Sequence, residues 1–421
     1  MKTKNFLMAT AIILGASLTF TSCSKDDDDD PVAPPVAPVA DYPTITVSGN
    51  ISTNTTWTKD NIVILDGRVI VESGAELTIQ AGTVIKGEDG QDANASVLII
   101  APGAKIHATG TASEPIIFTS VLDQIEPGTI VSPNLSATQN GYWGGVIILG
   151  NAEISAGTGG ALADIEGIPA GTASYGGSNN ADNSGEFQYC SIRHGGIVIG
   201  NNNEINGLTL GGVGNGTTID HIEVVGNLDD GIECFGGAVN ITDAVVIYQG
   251  DDAYDVDQSY SGTISNFAAV IGANTEGDAF EIDGPENVSI NGGGLFTFDK
   301  GYIIGNASNT DADYAVFKSK AQGTLQNVYF TGFNAAAKVD VLGNDAYNNY
   351  VNVSPSLIIN NNVFNVSSLT GLFDSDVADP SAGTTKFESG VENTTGATLT
   401  NGFDATQFNT WTWAAAYGML N

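Results

Sequence analysis

The chain has 421 residues and a formal net charge of −35, because 48 Asp and Glu outnumber 13 Lys and Arg. A protein this acidic is repelled by phosphate backbones, which argues against a nucleic-acid partner. With 53 Gly, 13 Pro and 42% hydrophobic residues, the composition excludes a disordered chain and favours a long all-β protein with many turns.

The first 22 residues are typical of a bacterial lipoprotein signal peptide. Lys2 and Lys4 form a short positive region, an apolar run extends from Phe6 to Phe20, and small residues lead to Cys23. Cleavage before Cys23 would leave this cysteine as the lipidated first residue and anchor the protein in the outer membrane. An ordinary secretory signal followed by a chance cysteine is the alternative.

Residues 23–40 are predicted to form a linker. Its acidic run, Asp26 to Asp30, resembles the export signal that takes lipoproteins of Bacteroidota to the outer face of the outer membrane, although a solvated spacer would look the same. Prolines at close intervals from Pro31 onward favour an extended polyproline II segment. No later stretch has 18 continuous apolar residues, so no transmembrane helix is expected. We therefore predict a lipid-anchored protein exposed at the cell surface.

Residues 41–421 are predicted to form one domain built from repeats. Each copy is a short Val- and Ile-rich run bounded by Gly, Asn or Asp, and a spacing of about 22 to 30 residues suits one coil of a parallel β-helix. The clearest copies lie at residues 69–79 and 98–108, and at residues 219–224, 241–246 and 264–269. The expected fold is an all-β, parallel β-helix, right-handed because parallel crossovers have that hand.

Two kinds of segment depart from this repeat. Residues 151–185 are rich in Gly, Ala, Ser and Asn and are predicted to form a long loop insertion, which is either a lid over one face or an insertion without a role. Helix is expected only at Ala335–Lys338 and near Ala414.

Three consecutive coils contain aligned acidic motifs, DGIECF from Asp230, DAYDVD from Asp252 and DAFEID from Asp278. Side chains alternate across a strand, so the apolar residues of each motif should point inward and the acidic ones outward. The first Asp of each motif is expected to close a turn. The remaining acids form what we call the acidic ladder: Glu233, Asp255, Asp257, Glu281 and Asp283.

The acidic ladder is predicted to bind Ca²⁺. Neighbouring coils lie about 4.8 Å apart, so stacked carboxylates repel one another unless a cation, protonation or open water offsets the repulsion. Oxygen ligands without His or Cys suit Ca²⁺ better than Zn²⁺. A solvated acidic ridge is the alternative. Asp257 and Tyr260 are further candidates for contact with a glycan ligand.

Cys190 and Cys234 fall in apolar columns of the predicted strands. Their separation corresponds to two coils or more, so we expect both thiols to be buried and free. The export route would nevertheless permit a disulfide.

Four segments resemble a known family: GYWGGVIILGNA at 141–152, DNSGEFQYCSIRHGG at 182–196, DDGIECFGG at 229–237 and GDDAYDVD at 250–257. They are similar to largely uncharacterised, secreted or lipid-anchored β-helix proteins of Bacteroidota, over roughly residues 45–415. The resemblance implies a fold like that of the pectate lyases and a location in the envelope. It implies no particular activity.

Catalysis on a polysaccharide is the main functional alternative. A lyase of the pectate type needs Ca²⁺ and a basic residue. Arg193 is the basic residue in a conspicuous motif, but it is as well suited to pair with Glu223 or Asp182. A glycoside hydrolase needs two carboxylates, for which Asp255 and Glu281 are candidates.

The preferred interpretation is a monomeric, lipid-anchored module that binds a glycan or an envelope protein, with Ca²⁺ as cofactor and without catalysis. An enzyme with Arg193, Asp255 and Glu281 as its catalytic candidates is the first alternative. A structural stalk without a small ligand is the second.

Overall fold

The computed structural model describes residues 42–91, 94–156, 162–165, 168, 174–199, 204–286, 295–354, 356–395 and 401–420. The predicted signal peptide, Cys23 and the linker lie outside the described residues and stay predictions. Within the described ranges, no helix combines the length and the apolar character that a membrane crossing requires.

Short strands make up most of the described chain. In chain order they are β1 (Thr44–Ile51), β2 (Thr55–Trp57), β3 (Ile62–Val71), β4 (Glu76–Ile79), β5 (Val84–Gly87), β6 (Val97–Ile100), β7 (Lys105–Thr109), β8 (Ile116–Ser120), β9 (Val146–Leu149), β10 (Ala163–Asp164), β11 (Ser174–Tyr175), β12 (Gly185–Arg193), β13 (Leu208–Gly211), β14 (Thr218–Val225), β15 (Ile232–Phe235), β16 (Asn240–Ile247), β17 (Tyr254–Asp257), β18 (Thr263–Val270), β19 (Phe280–Asp283), β20 (Phe296–Ile304), β21 (Ala315–Lys318), β22 (Gly323–Thr331), β23 (Val339–Val341), β24 (Leu357–Asn360), β25 (Val363–Phe364), β26 (Phe373–Asp374) and β27 (Glu392–Asn393). The helices are α1 (Asn344–Val351), α2 (Ser381–Gly390) and α3 (Trp413–Ala416), with a 3₁₀ turn at Ala405–Phe408.

Parallel pairing joins the strands into three long sheets, which we call faces A, B and C. Face A contains β2, β4, β7, the first halves of the even-numbered strands β12 to β22, and β24. Face B contains the first halves of β1 and β3, then β5, β8, the second halves of those same even-numbered strands, β25 and β27. Face C contains the second halves of β1 and β3, then β6, β9, the odd-numbered strands β13 to β23, and β26. In each coil the chain passes from A to B to C, so the predicted parallel β-helix is confirmed.

The interior is filled by the inward-pointing residues of every strand. On face C, Ile232, Tyr254 and Phe280 are fully buried, as the alternation in the acidic motifs predicts. The rings of Tyr254 and Phe280 stack with their centroids 5.9 Å apart. Burial of one such side chain stabilises the folded state by about 1.5–3 kcal/mol. This explains why each copy of the repeat has an apolar residue at these positions.

The six even-numbered strands from β12 to β22 bend where face A meets face B. At each bend one residue has a left-handed backbone conformation, with φ from 49° to 65°: Tyr189, His221, Asp243, Asn266, Lys300 and Asn327. Three of the six are Asp or Asn, which tolerate this conformation better than most residues. The bend lets one continuous strand serve two sheets.

Helices and a returning segment complete the fold. Helices α1 and α2 pack on the last coil, where Phe387 of α2 contacts Phe364 and Phe373. Residues 401–420, which we call the return segment, lie against the outside of face B, with Phe408, Trp411 and Trp413 buried in a common apolar cluster with residues of β14, β16 and β18.

Two expectations about helices have different outcomes. The helix near Ala414 is present as α3, but the one expected at Ala335–Lys338 is wrong, because these residues form a turn. A run of three alanines has high helix propensity, but it is too short to nucleate a helix between two strands.

Candidate functional site

The outer surface of face C changes character along the β-helix. On β3, β6 and β9 the outward residues Ile70, Ile99 and Ile147 are buried beneath loop residues such as Ile154 and Ile165. On β15, β17 and β19 the corresponding positions carry the acids Glu233, Asp255 and Glu281. The described part of the predicted insertion, residues 151–185, therefore covers the apolar part of face C and ends beside its acidic part.

A cleft of about 630 Å³ lies at this boundary. We call it the acidic cleft. Its apolar wall includes Leu162 of the insertion together with Tyr175 and Phe235, whose ring centroids are 6.1 Å apart. Its described lining includes no Lys, Arg or His and eight acidic residues: Asp164, Glu204, Asp229, Asp230, Glu233, Asp251, Asp257 and Glu286.

Carboxylates converge where the lining residues Asp230 and Glu233 meet Asp255, and we call this place the floor of the cleft. One oxygen from each of Asp230, Glu233 and Asp255 lies within 4.8 Å of the others, and Asp255 also forms such a group with Asp252 and Glu281. The pairing of β15 with β17 places Glu233 directly beside Asp255. Asp255 is thus the residue shared by two oxygen clusters.

Two polar atoms at this floor have no hydrogen-bond partner among the described residues. Asn206, only 6% exposed, donates from Nδ2 to Glu233, but its Oδ1 accepts nothing. Oδ1 of Asp255 is also buried and unpartnered. Buried polar atoms are almost always satisfied, so these two oxygens indicate a position for an additional donor or cation.

The first Asp of each acidic motif was expected to close a turn of its own coil, but its carboxylate bonds instead to the backbone of the next coil. The carboxylate of Asp230 accepts from the N–H of Asp252 at 2.9 Å, that of Asp252 accepts from Asp278 at 2.5 Å, and that of Asp278 accepts from Asp313 at 2.6 Å. We call this series the turn ladder. Each carboxylate fixes the start of the next coil, which holds the outward acids in line.

Burial dominates the electrostatics of these acids. Desolvation, followed by repulsion from neighbouring carboxylates, raises the pKa of Asp230, Glu233 and Asp255 well above the ordinary values. Desolvation likewise raises the pKa of Asp257 to about 7, with repulsion from Asp283 contributing. Without a cation, the carboxyl groups of the cleft therefore favour protonation at neutral pH. A bound cation would favour their deprotonated forms instead.

The acidic ladder is divided rather than continuous. Lys318, which follows on the next strand of face C, forms ion pairs with Glu281 and with Asp283, the latter at 3.4 Å. These two acids therefore already have a cationic partner. Among the described ion pairs, Lys318 has none with Glu233 or Asp255, and Asp257 lines the acidic cleft.

Tyr260 does not lie on the surface. It is 2% exposed, and its hydroxyl donates to the carbonyl of Val239 at 2.7 Å. In this structure a glycan outside the β-helix has no access to Tyr260. The sequence pattern places it close to Asp257 along the chain, but the turn after β17 directs it into the core.

Arg193 lies on face B, away from the acidic cleft. It is fully buried, its guanidinium faces Glu223 at 3.5 Å, and the ring centroid of Trp413 in the return segment is 5.3 Å away. The structural pairing with Glu223 that the sequence allowed is therefore present. No external substrate reaches Arg193 without displacement of the return segment.

Sequence reasoning missed several residues of the cleft. Asn206, Glu204 and Glu286 belong to loops outside the aligned motifs, so no periodicity places them near face C. Asp229 and Asp251 directly precede the turn ladder and were a detectable signal, because each stands one residue before an aligned Asp.

Comparison with known proteins gives one positive result. No curated protein matches the chain. The family model described as a pectate-lyase like beta helix domain matches residues 49–417, which is most of the chain. With its three parallel sheets, the chain therefore belongs to the pectate-lyase-like β-helix family.

Proposed function

We propose that this protein is a cation-dependent binding module whose ligand, a glycan or an envelope protein, occupies the acidic cleft. The observation that carries the proposal is the group formed by Asp230, Glu233 and Asp255 beside the unpartnered oxygen of Asn206. Carboxylate and amide oxygens in such a group are the ligands that Ca²⁺ prefers.

The cation has a clear energetic role in this proposal. Carboxylates held within 4.8 Å of one another repel, and no basic side chain lines the described part of the cleft. A divalent cation would relieve the repulsion and keep open positions for ligand oxygens, since Ca²⁺ takes six to eight ligands. The neighbouring apolar wall of Leu162, Tyr175 and Phe235 offers contact area to the same ligand.

The test is a thermal melt of the full chain after chelation, with and without Ca²⁺ or Mg²⁺. A cation that binds only the folded state stabilises it by about 2.7 kcal/mol at a hundredfold excess over Kd. We expect a rise in Tm with Ca²⁺ that is lost in Asp255→Asn.

Asp340→Asn is the matched control for that experiment. Asp340 points outward in the same column of face C, and its Oδ1 is likewise unpartnered among the described residues, but it belongs to none of the described oxygen groups. The control should respond to Ca²⁺ as the unsubstituted chain does. An equal loss in both variants, or no Ca²⁺ response at all, contradicts the proposal.

One observation favours catalysis as the second candidate. Asp257, with its pKa raised to about 7, lines the cleft beside the carboxylate of Glu286, and a proton donor paired with a carboxylate is what glycoside hydrolysis requires. A lyase is less well supported, because the described lining of the cleft contains no basic side chain. Release of reducing ends from neutral polysaccharides, abolished by Asp257→Asn, would establish this candidate.

The location of the module is also part of the proposal. The sequence before residue 41 supports lipidation at Cys23 and display at the outer surface. Cys23→Ala should move the protein from the membrane fraction to the soluble fraction. Retention of that variant in the membrane fraction would refute lipid anchoring while leaving the cleft proposal intact.

A further inference from the structure

A second, uncharged pocket lies where face B turns into face C. Its volume is about 240 Å³, and it lies between the turns that follow β16, β18 and β20, with residues 138 and 140 at one side. We call it the corner pocket. None of its described lining residues is charged, whereas the acidic cleft and the other described pockets all include charged residues.

The lining of the corner pocket is rich in amides. Asn140, Asn274 and Asn306 line it together with Gln249. Gln249 is only 2% exposed, yet neither Oε1 nor Nε2 of its side chain has a hydrogen-bond partner among the described residues. A buried amide without partners is rare in folded proteins. The side chain of Gln249 is therefore available to donate a hydrogen bond to a ligand and to accept one from it.

An aromatic ring lies beside these amides. Tyr248 is partly exposed and has a left-handed backbone with φ 56°, a conformation that favours glycine. In the preceding coil Gly226 takes the same conformation with φ 62°. The backbone therefore does not require a tyrosine at this corner. The reason for Tyr248 must lie in its side chain.

Gly272 keeps the space beside that ring open. Its φ is not in the left-handed region, so the backbone does not require glycine there. A Cβ at this position would lie 3.6 Å from Cδ1 of Tyr248 and 3.1 Å from Oγ1 of Thr275. Any larger residue would fill part of the pocket next to the ring.

We propose that the corner pocket binds one neutral sugar ring. Sugar hydroxyls both donate and accept hydrogen bonds, and the side-chain amide does the same. The face of an aromatic ring carries negative charge density that attracts the C–H groups of a sugar. The pocket is smaller than the roughly 300–1,000 Å³ of sites for drug-sized ligands, which suits a single ring. This site goes beyond the cation-dependent cleft and does not depend on it.

The experiment is saturation-transfer difference NMR on the full chain with the methyl glycosides of glucose, mannose, galactose and N-acetylglucosamine, in the presence of EDTA. We expect transfer to at least one glycoside, with its affinity lowered at least tenfold in Tyr248→Ala and in Gly272→Ala. The matched control is Tyr417→Ala, because Tyr417 is an exposed tyrosine outside the pocket. This control should bind as the unsubstituted chain does.

Gln249→Leu provides a second variant in case Tyr248→Ala does not fold. It replaces an unsatisfied amide with an apolar group of similar size, so the fold should persist while transfer is lost. Absence of transfer to all four glycosides overturns the proposal. Transfer that survives the pocket variants but is lost in Asp255→Asn also overturns it, and would assign the sugar to the acidic cleft.

Discussion

The ion pair between Arg193 and Glu223 is the most deeply buried charge interaction among the described residues. Both side chains are fully buried, and the Arg193 guanidinium also donates to Ser191 at 2.7 Å and to the carbonyl of Ile130. The other oxygen of Glu223 accepts from the N–H of Ala414 at 3.1 Å. Desolvation lowers the pKa of Arg193 and raises that of Glu223, so each charge depends on its partner.

Removing one partner of this pair should be costly. We expect Arg193→Ala to lower the free energy of unfolding by about 3–5 kcal/mol, because Glu223 would remain buried without a counter-charge. Urea denaturation measures this change. Lys105→Ala is the control and should change stability by less than about 0.5 kcal/mol, because Lys105 is only partly buried. A small effect of Arg193→Ala would mean that solvent reaches Glu223.

The residue scale also shows what the sequence could not decide. Aligned motifs predicted that Asp255 points outward, but they could not show that Lys318 neutralises Glu281 and Asp283, since the Lys lies outside the three motifs. Burial of Tyr260 was equally undetectable, because a turn has no fixed side-chain period. The prediction that Cys190 and Cys234 are buried and free is confirmed.

At the level of elements, the turn ladder joins four coils through hydrogen bonds from backbone N–H groups to Asp carboxylates. Asp252→Ala should cost about 1–3 kcal/mol in the free energy of unfolding, because the N–H of Asp278 would lose its acceptor. Asp252→Asn keeps an acceptor oxygen for this N–H. It removes only the charge of a carboxyl group whose pKa is already raised by desolvation, so the free energy of unfolding should fall much less. Urea denaturation distinguishes the two variants. Equal losses would show that the charge rather than the hydrogen bond matters.

The raised pKa values of the same elements predict how stability varies with pH. Asp257 and Asp278 have pKa values of about 7 in the folded protein, against an ordinary value of 3.8. The folded state therefore binds more protons between these values, and stability falls as pH rises from about 4 to about 7. We expect the chelated protein to be more stable at pH 5 than at pH 8, by about 1–3 kcal/mol.

Denaturant midpoints across this pH range test that expectation. Saturating Ca²⁺ should weaken or reverse the trend, since a cation favours the deprotonated acids. A chelated protein that becomes more stable toward pH 8 would show that the carboxylates are better solvated than their burial indicates.

At the level of the whole molecule, the repeat predicted the β-helix correctly because one physical constraint acts on every coil. Inward positions must be apolar in all of them, as Ile232, Tyr254 and Phe280 illustrate. The return segment and helices α1 and α2 do not follow this repeat. Helix α1, with the sequence NDAYNNYV, has low intrinsic propensity and is stabilised by packing of Tyr350 on Phe373. Single contacts of this kind are not visible in the sequence pattern.

Deletion of residues 401–421 tests the role of the return segment. Trp411 and Trp413 would be lost, and apolar residues of face B, including Val245 and Ile247, would become exposed. We expect a lower unfolding midpoint and increased binding of a hydrophobic dye. Trp411→Ala alone should act in the same direction and lower the free energy of unfolding by about 3–5 kcal/mol. An unchanged midpoint after deletion would mean that the segment is not needed for the stability of face B.

The path of the return segment also bears on cooperativity. A stack of coils in which each touches only its neighbours behaves as a one-dimensional array, and such an array can fray one coil at a time from an end. Here Thr410 bonds to Ala112 and Ala414 bonds to Glu223, which are contacts across 298 and 191 residues. Melting of the final coils would release these contacts and uncover the middle of the molecule. The return segment thus couples the final coils to the middle of the molecule, and favours all-or-none unfolding over gradual fraying.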